Sequence, residues 1–103
     1  MKLLFCERCA DVFKLGFELK SCDCGHVKGK YINNTYAVTN GNGINLAIGN
    51  GSLMNAIADM QKIDPSDPKI DRHTYIDGAK IEYAWCRPND GFGNPHSRVD
   101  KDL

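Results

Sequence analysis

Short apolar segments alternate with glycine- and asparagine-rich turns along this chain, a pattern that predicts several short β-strands. Near the N-terminus, Val12–Leu15 and Phe17–Ser21 are two such segments, and Gly16 between them is a natural turn residue. The pattern therefore predicts a first β-hairpin over these residues.

The middle of the chain predicts a second hairpin. A strand over 30–39 leads into Asn40–Gly43, where Asn and Gly tolerate the positive φ angles of a tight turn, and a strand over 44–48 follows. In that second strand, successive side chains point to opposite faces of the sheet. One face carries Ile44, Leu46 and Ile48, and the other carries Asn45 and Ala47.

One amphipathic helix is predicted over 52–63. Ser52 is a good N-cap, and Asp64–Pro65 ends the helix because proline disfavours helical geometry at the preceding residue. The predicted apolar stripe consists of Leu53, Ala56, Ile57 and Met60.

The C-terminal third predicts a further hairpin and then a tail. His73–Ile76 and Ala79–Cys86 flank the turn residues Asp77–Gly78. The later segment alternates as a strand with one buried face does, and its apolar positions are Ile81, Tyr83 and Trp85.

Residues 87–103 are poor in apolar residues, so we expect an irregular tail with Phe92 as its anchor. Cys86 is interpreted as a small buried residue at the end of a strand. His73 and His96 have no companions at metal-binding spacing, which favours surface positions for both.

Composition indicates a globular domain without net charge. The chain has 103 residues, of which 42% are hydrophobic and 25% charged, and 13 Lys+Arg balance 13 Asp+Glu. A polyanion binder would normally carry a basic excess. No apolar run is long enough to span a bilayer, and the first residues are too short an apolar stretch for a signal peptide. We therefore expect a cytoplasmic protein, or one of the host cytoplasm if its source is viral, and no membrane partner.

Four of the five cysteines form two close pairs near the N-terminus. Two residues separate Cys6 from Cys9, one separates Cys22 from Cys24, and twelve lie between the pairs. Two such turns that meet make a closed tetrahedral site of four thiolates. An odd cysteine count and a reducing cytoplasm both disfavour a disulfide framework. We predict a structural metal ion with no open position for a substrate.

The two cysteine pairs resemble a zinc ribbon over the first third of the chain. The resemblance implies structural zinc, and iron is the alternative because four thiolates also form rubredoxin-like sites. The second pair is one residue shorter than is typical of these ribbons, so His26 is an alternative ligand in place of one cysteine. The competing interpretations are reduced cysteines without metal and a redox pair.

With this site, the predicted fold is α+β: a small N-terminal zinc ribbon packed on an antiparallel β-sheet with one main α-helix. We expect a ribbon-like subdomain over 1–32 and a sheet with the helix over 33–86 in the same compact unit. The irregular tail over 87–103 completes the expected organisation.

Residues 33–55 contain no charged residue and no histidine. One interpretation is a surface buried against a partner protein or a second subunit, because interface cores are depleted of charge. The other is an inner hairpin with asparagine at its turns.

The segment between the second hairpin and the helix is a candidate anion or ligand loop, because backbone N–H groups at a helix N-terminus attract phosphates and carboxylates. The alternative is a plain strand-to-helix connection. The loop residues are Gly49, Asn50, Gly51 and Ser52.

The chain as a whole resembles a group of small uncharacterised prokaryotic and phage proteins. The segments that carry this resemblance are Leu3–Phe13, Cys22–Gly25, Gly29–Tyr31 and Leu46–Leu53. It implies a zinc-bearing α+β fold and a prokaryotic or viral origin, and it implies no substrate.

No catalytic constellation is visible, so we expect a non-enzymatic zinc-binding protein that acts as a protein-interaction or assembly module, with a partner or with itself. One alternative is a nucleic-acid-binding zinc ribbon, although acidic residues interleave with its lysines. The other is a phage-type anti-defence protein that binds a nucleotide or another small anionic ligand.

Overall fold

The computed structural model describes residues 1–64, 66–69, 71, 76–88 and 96–103. Over these residues the fold is α+β, as predicted, with two four-stranded sheets and one main helix. In chain order the elements are β1 (Lys2–Phe5), β2 (Val12–Lys14), β3 (Lys20–Ser21), β4 (Lys28–Tyr31), β5 (Tyr36–Thr39), β6 (Ile44–Ile48), α1 (Asn50–Gln61), β7 (Ala84–Arg87) and β8 (His96–Val99).

These elements belong to two compact units. One unit comprises Met1–Ala47 and Trp85–Leu103, and it contains most of both sheets. The other comprises Ile48–Ala84 and contains the helix.

The first sheet has the strand order β2-β1-β6-β7. Strand β1 pairs antiparallel with β2, where Leu4 lies opposite Phe13, and antiparallel with β6, where Leu4 lies opposite Asn45. The predicted hairpin around Gly16 is therefore wrong, since β2 turns back onto β1 and not forward onto β3. The N–H of Leu15 extends this pairing by donating to the carbonyl of Lys2 at 3.1 Å.

The second sheet has the order β3-β4-β5-β8 and is mixed, because β8 runs parallel to β5. The single strand predicted over 30–39 is wrong, since β4 and β5 form an antiparallel pair joined by a turn. The side chain of Asn33 makes that turn, because its Oδ1 accepts the N–H groups of Thr35 and Tyr36, both at 2.8 Å.

The turn at Asn40–Gly43 also departs from its prediction. It joins β5 to β6, which lie in different sheets, so it is a crossing between sheets and not a hairpin. Gly41 has a φ of 82°, which glycine adopts readily. A Cβ on Gly43 would lie 2.6 Å from Cγ1 of Val27, so the close approach of chain segments also requires glycine there.

Strand β6 matches its predicted bounds and its predicted alternation. The fully buried face is, however, the one with small and polar residues, where Asn45 is 1% exposed and Ala47 is 3% exposed. Register explains this, because those residues lie opposite Leu4 and Lys2, which are also buried. The isoleucines and leucine of the other face are half-buried.

Helix α1 begins at Asn50, two residues before its prediction, with Gly49 in the N-cap position. Ser52 therefore lies in the first turn and not at the N-cap. Of the predicted stripe, Ala56 is buried, whereas Ile57 and Met60 are exposed. No helix among the described residues combines the length and apolarity needed to cross a membrane.

The region predicted to form two strands, over 73–76 and 79–86, differs from that prediction. Strand β7 begins at Ala84 and not at Ala79, and Ile76 lies in a helical turn. The predicted buried face is exposed, since Tyr83 is 57% exposed and Trp85 is 37% exposed. Most of the first predicted strand, residues 73–75, lies outside the described residues.

The expected irregular tail contains a strand. The backbone of β8 pairs with β5 from Tyr36 to Thr39, and Ser97 is 5% exposed within that pairing. Only one β-branched residue, Val99, marks this strand in the sequence, so its position depends on the available sheet edge and not on local propensity. Phe92 lies outside the described residues.

Candidate metal centre

The two cysteine pairs lie at the tips of two hairpins from different sheets. Cys6 and Cys9 are in the connection from β1 to β2, and Cys22 and Cys24 are in the connection from β3 to β4. The two tips are linked directly, because Oδ2 of Asp11 accepts the N–H of Asp23 at 3.1 Å.

The first knuckle (Cys6–Asp11) closes with two backbone hydrogen bonds. The N–H of Cys6 donates to the carbonyl of Asp11 at 2.9 Å, and the N–H of Ala10 donates to the carbonyl of Cys6 at 2.8 Å. Ala10 has a φ of 61°, in the left-handed region that disfavours residues with a Cβ.

The second knuckle (Cys22–Val27) closes with equivalent bonds. The N–H of Cys22 donates to the carbonyl of Val27 at 2.9 Å, and the N–H of Gly25 donates to the carbonyl of Cys22 at 3.0 Å. Gly25 has a φ of 77°, so it occupies the same position after the second cysteine as Ala10 does. The residue missing between Cys22 and Cys24 is compensated by His26, which follows Gly25. The shorter spacing therefore still lets both sulfurs converge.

The four sulfurs form one cluster, and all of them lie within 4.8 Å of one another. The Sγ atom of Cys24 lies 3.7 Å from that of Cys6 and 3.5 Å from that of Cys22. Four sulfurs bound tetrahedrally to zinc at about 2.3 Å would be about 3.8 Å apart. None of the cysteines is in a disulfide. The cluster thus fits a divalent ion held by four thiolates.

Two of the four cysteines belong to the hydrophobic core, whereas Cys9 is half-buried and Cys24 is exposed. Cys6 is fully buried and Cys22 is 3% exposed, and both pack with Leu4, Leu15 and Val27. An ion bound by the four sulfurs would therefore be shielded from solvent on the side of Cys6 and Cys22 and would lie close to the surface on the side of Cys24.

The thiols of the second knuckle have opposite pKa shifts. Burial disfavours the Cys22 thiolate, but the N–H of Val27, at 3.2 Å from its sulfur, and the neighbouring thiols lower its pKa to about 6. The backbone of His26 favours ionisation of Cys24, but desolvation and the hydrogen bonds to its neighbours raise its pKa to about 12. Without a metal, Cys22 is thus the more readily ionised thiol of this knuckle, and a nearby dication would favour ionisation of Cys24.

His26, the alternative ligand, is not among the residues whose ligand atoms form the cluster. Its carbonyl has a different role, because it accepts hydrogen bonds from Nδ2 of Asn40 at 2.9 Å and from Nδ2 of Asn42 at 3.0 Å. Oδ1 of Asn40 also accepts the N–H of Lys28 at 3.2 Å. These amides hold the second knuckle against the turn that joins the two sheets.

Several asparagines of the uncharged segment thus have structural roles. Asn33 closes a turn, Asn40 and Asn42 fix the knuckle, and Asn45 is buried in β6. Sequence analysis missed these supporting residues, and the signal that could have found them is the density of asparagine in a segment without charge. Amides satisfy buried backbone groups without placing a charge in the interior.

The candidate loop Gly49–Ser52 is organised by contacts within its own unit. The hydroxyl of Ser52 donates to the carbonyl of Gly49 at 3.0 Å and accepts the N–H of Tyr83 at 3.2 Å. The N–H of Gly49 donates to the carbonyl of Tyr83 at 2.8 Å. A ligand role for this loop stays a prediction.

Of the remaining candidates, Cys86 is exposed, which corrects its interpretation as a buried residue. His73 lies outside the described residues. The backbone of His96 begins β8, and its side chain lies outside the described part of the structure.

Fold and site together define a small α+β protein with a four-cysteine cluster that could hold a metal ion. Comparisons with protein-family models, with curated proteins and with solved structures each return no match.

Proposed function

We propose that the protein is a non-enzymatic zinc-binding protein in which the ion is structural and the surface serves protein interaction or assembly. The observation that carries the proposal is the convergence of four free cysteine sulfurs from two hairpin tips. Zinc is proposed over iron because it is the usual ion of closed tetrahedral cysteine sites that join two hairpins.

A structural role follows from the ligand set. Four protein thiolates complete a tetrahedral shell, so no position remains for a water molecule or a substrate. Because Cys6 and Cys22 also belong to the core, an ion at this position stabilises the same contacts that hold the two sheets together. The free energy of binding such an ion contributes directly to folding.

The interaction part of the proposal is supported by exposed apolar side chains on α1. Met54 is 66% exposed, Met60 is 51% exposed and Ile57 is 38% exposed, at helical spacing along one side of the helix. Methionine-rich surfaces adapt to partners of different shape. Light scattering coupled to size exclusion tests the self-association branch, and a Met54→Lys variant should dissociate any oligomer that uses this surface.

The zinc proposal is tested by elemental analysis of the purified protein and of two matched cysteine variants. We expect one zinc per chain in the wild type and in Cys86→Ser, because Cys86 is exposed and outside the cluster. Cys22→Ser should lose most of the bound zinc and unfold at lower denaturant concentration, since it removes a buried ligand.

Two results would contradict this proposal. One is a wild-type protein that contains no transition metal after expression in zinc-supplemented medium and that folds equally well with a strong chelator. The other is equal metal content in Cys22→Ser and wild type. A protein that contains iron in place of zinc would retain the structural role and correct only the identity of the ion.

A further inference from the structure

A second candidate site lies in the first unit, and none of the four clustered cysteines lines it. It is a cavity of about 650 Å³, within the range of small-molecule sites. Its lining combines aromatic and aliphatic side chains with two cations, Lys30 and Arg98, and one carboxylate, Asp100.

The two cations come from neighbouring positions of one sheet. Lys30 in β4 lies opposite Val38 in β5, and Val38 lies beside Arg98 in β8. Cross-strand partners share a face of the sheet, so both cations lie on the same face, on either side of a nearly buried valine. Among the described residues, neither Lys30 nor Arg98 forms an ion pair. Both charges are therefore available to an anion.

Aromatic rings border these cations. The guanidinium carbon of Arg98 lies 5.8 Å from the centre of the Tyr36 ring. The lining also includes Phe17 and Tyr31, whose ring centres lie 6.0 Å apart and whose planes are tilted by 48°. Phe17 is 64% exposed, so much of this residue is accessible to a ligand.

The carboxylate in the lining is held by its own turn. Oδ1 of Asp100 accepts the N–H of Asp102 at 3.0 Å, and the N–H of Asp100 donates to the carbonyl of Thr39 at 2.8 Å. Two cations and one carboxylate give the lining side chains an excess of positive charge. Such a lining suits a ligand that carries negative charge at one end and a flat apolar group at the other.

We infer that this cavity binds a nucleotide, with its phosphate on Lys30 and Arg98 and its base against the exposed ring of Phe17. Arginine and lysine donate charge-assisted hydrogen bonds to phosphate oxygens. Every nucleobase has a π-face that stacks on an aromatic side chain. A phosphate joined to a base is present both in a free mononucleotide and in each unit of a single-stranded nucleic acid.

The test uses the full chain with its zinc content measured in every sample. Two probes separate the sources: AMP, and an oligothymidylate of about 10 nucleotides. We expect saturable binding of at least one probe below about 1 mM, measured by calorimetry or fluorescence. Tighter binding of AMP identifies a free nucleotide as the ligand, and tighter binding of the oligomer identifies a single strand.

Substitutions at two lining residues test their roles, and a third position serves as the control. Arg98→Gln should weaken binding about 10-fold because it removes a charge-assisted contact, and Phe17→Ala should weaken it by a similar factor because it removes the stacking surface. Lys62→Gln is the matched control, since Lys62 follows α1 in the other unit and does not line the cavity. Arg98→Lys serves as a second variant if Arg98→Gln does not fold.

The inference fails if neither probe binds at about 1 mM. It also fails if inorganic phosphate binds as tightly as AMP and Phe17→Ala has no effect, because the base would then have no role. An equal loss in Lys62→Gln overturns it as well. None of these results affects the metal proposal, because zinc content is scored separately on the same samples.

Discussion

The residue after the second cysteine of each knuckle has a positive φ angle, so exchanging alanine and glycine at these two positions should change stability in opposite directions. Ala10 adopts a φ of 61° and Gly25 adopts 77° at equivalent positions. A left-handed conformation costs a residue with a Cβ about 1–2 kcal/mol. Glycine avoids that cost but loses about 0.5–1 kcal/mol more backbone entropy on folding. Ala10→Gly should therefore stabilise the protein by about 0.5–1 kcal/mol, and Gly25→Ala should destabilise it by a similar amount.

Space around the two residues does not interfere with this comparison. A Cβ added at Gly25 would have no heavy atom within 4 Å, so only the backbone conformation decides the effect. Gly51 is the matched control, because a Cβ there also meets nothing and its φ is not positive. In helix α1, Gly51→Ala should stabilise by about 0.5–1 kcal/mol. The same substitution is thus expected to have opposite signs at two open positions.

Urea denaturation of the zinc-loaded protein measures the change in unfolding free energy for all three variants. The free zinc concentration is held constant, so that the contribution of zinc binding to stability is compared at the same ligand concentration. Competition with a zinc-binding dye gives the effect on metal affinity. A stabilising Gly25→Ala, or an Ala10→Gly that destabilises, would show that the backbone angles do not control the knuckles.

Three further predictions concern packing and protons. Gly29→Ala should destabilise by about 1–3 kcal/mol in urea denaturation, because its Cβ would lie 2.7 Å from Cδ1 of Leu4. Burial lowers the pKa of Lys2 from 10.5 to about 8. Between these pH values the unfolded state binds more protons than the folded state, so the free energy of unfolding should rise with pH. Lys2→Met should flatten that rise when urea midpoints are measured across this pH range. Calorimetry in buffers of different ionisation enthalpy should detect more protons released per zinc ion below about pH 6 than above it. The pKa of Cys24 is about 12, so Cys24 releases a proton on either side of pH 6, whereas Cys22, with a pKa of about 6, releases one only below that pH.

The local sequence pattern predicted where strands and helices lie better than it predicted which strands pair. The bounds of β6, the existence of α1 and the convergence of the cysteines all follow from short-range spacing. Strand pairing does not, because β2 and β3 have adjacent sequences but different sheets. A turn signal such as Asn40–Gly43 fixes local φ angles and leaves open whether the next strand pairs with the last.

Burial was harder to predict than strand position. In β6 the sequence places isoleucines and a leucine on one face, yet Asn45 and Ala47 face the core because β1 presents Leu4 and Lys2 to them. A similar problem affects α1, where Ser52 is buried by its contact with Tyr83 while Met60 is exposed. Hydrophobicity alone does not show which face a distant segment will cover.

A metal ion in the cysteine cluster would account for how such a short chain keeps two sheets together. The first knuckle belongs to the sheet of β1 and β2, and the second belongs to the sheet of β3 and β4, within the same unit. Isolated two-stranded hairpins are marginally stable in water. The hydrophobic core of this unit contains few large buried side chains besides Leu4 and Leu15. An ion bound by one cysteine pair from each sheet supplies a cross-link that a reducing environment would deny to a disulfide. The asparagine contacts from the turn between β5 and β6 reach the second knuckle at the same place, so a bound ion and the amides would constrain the same junction between the sheets.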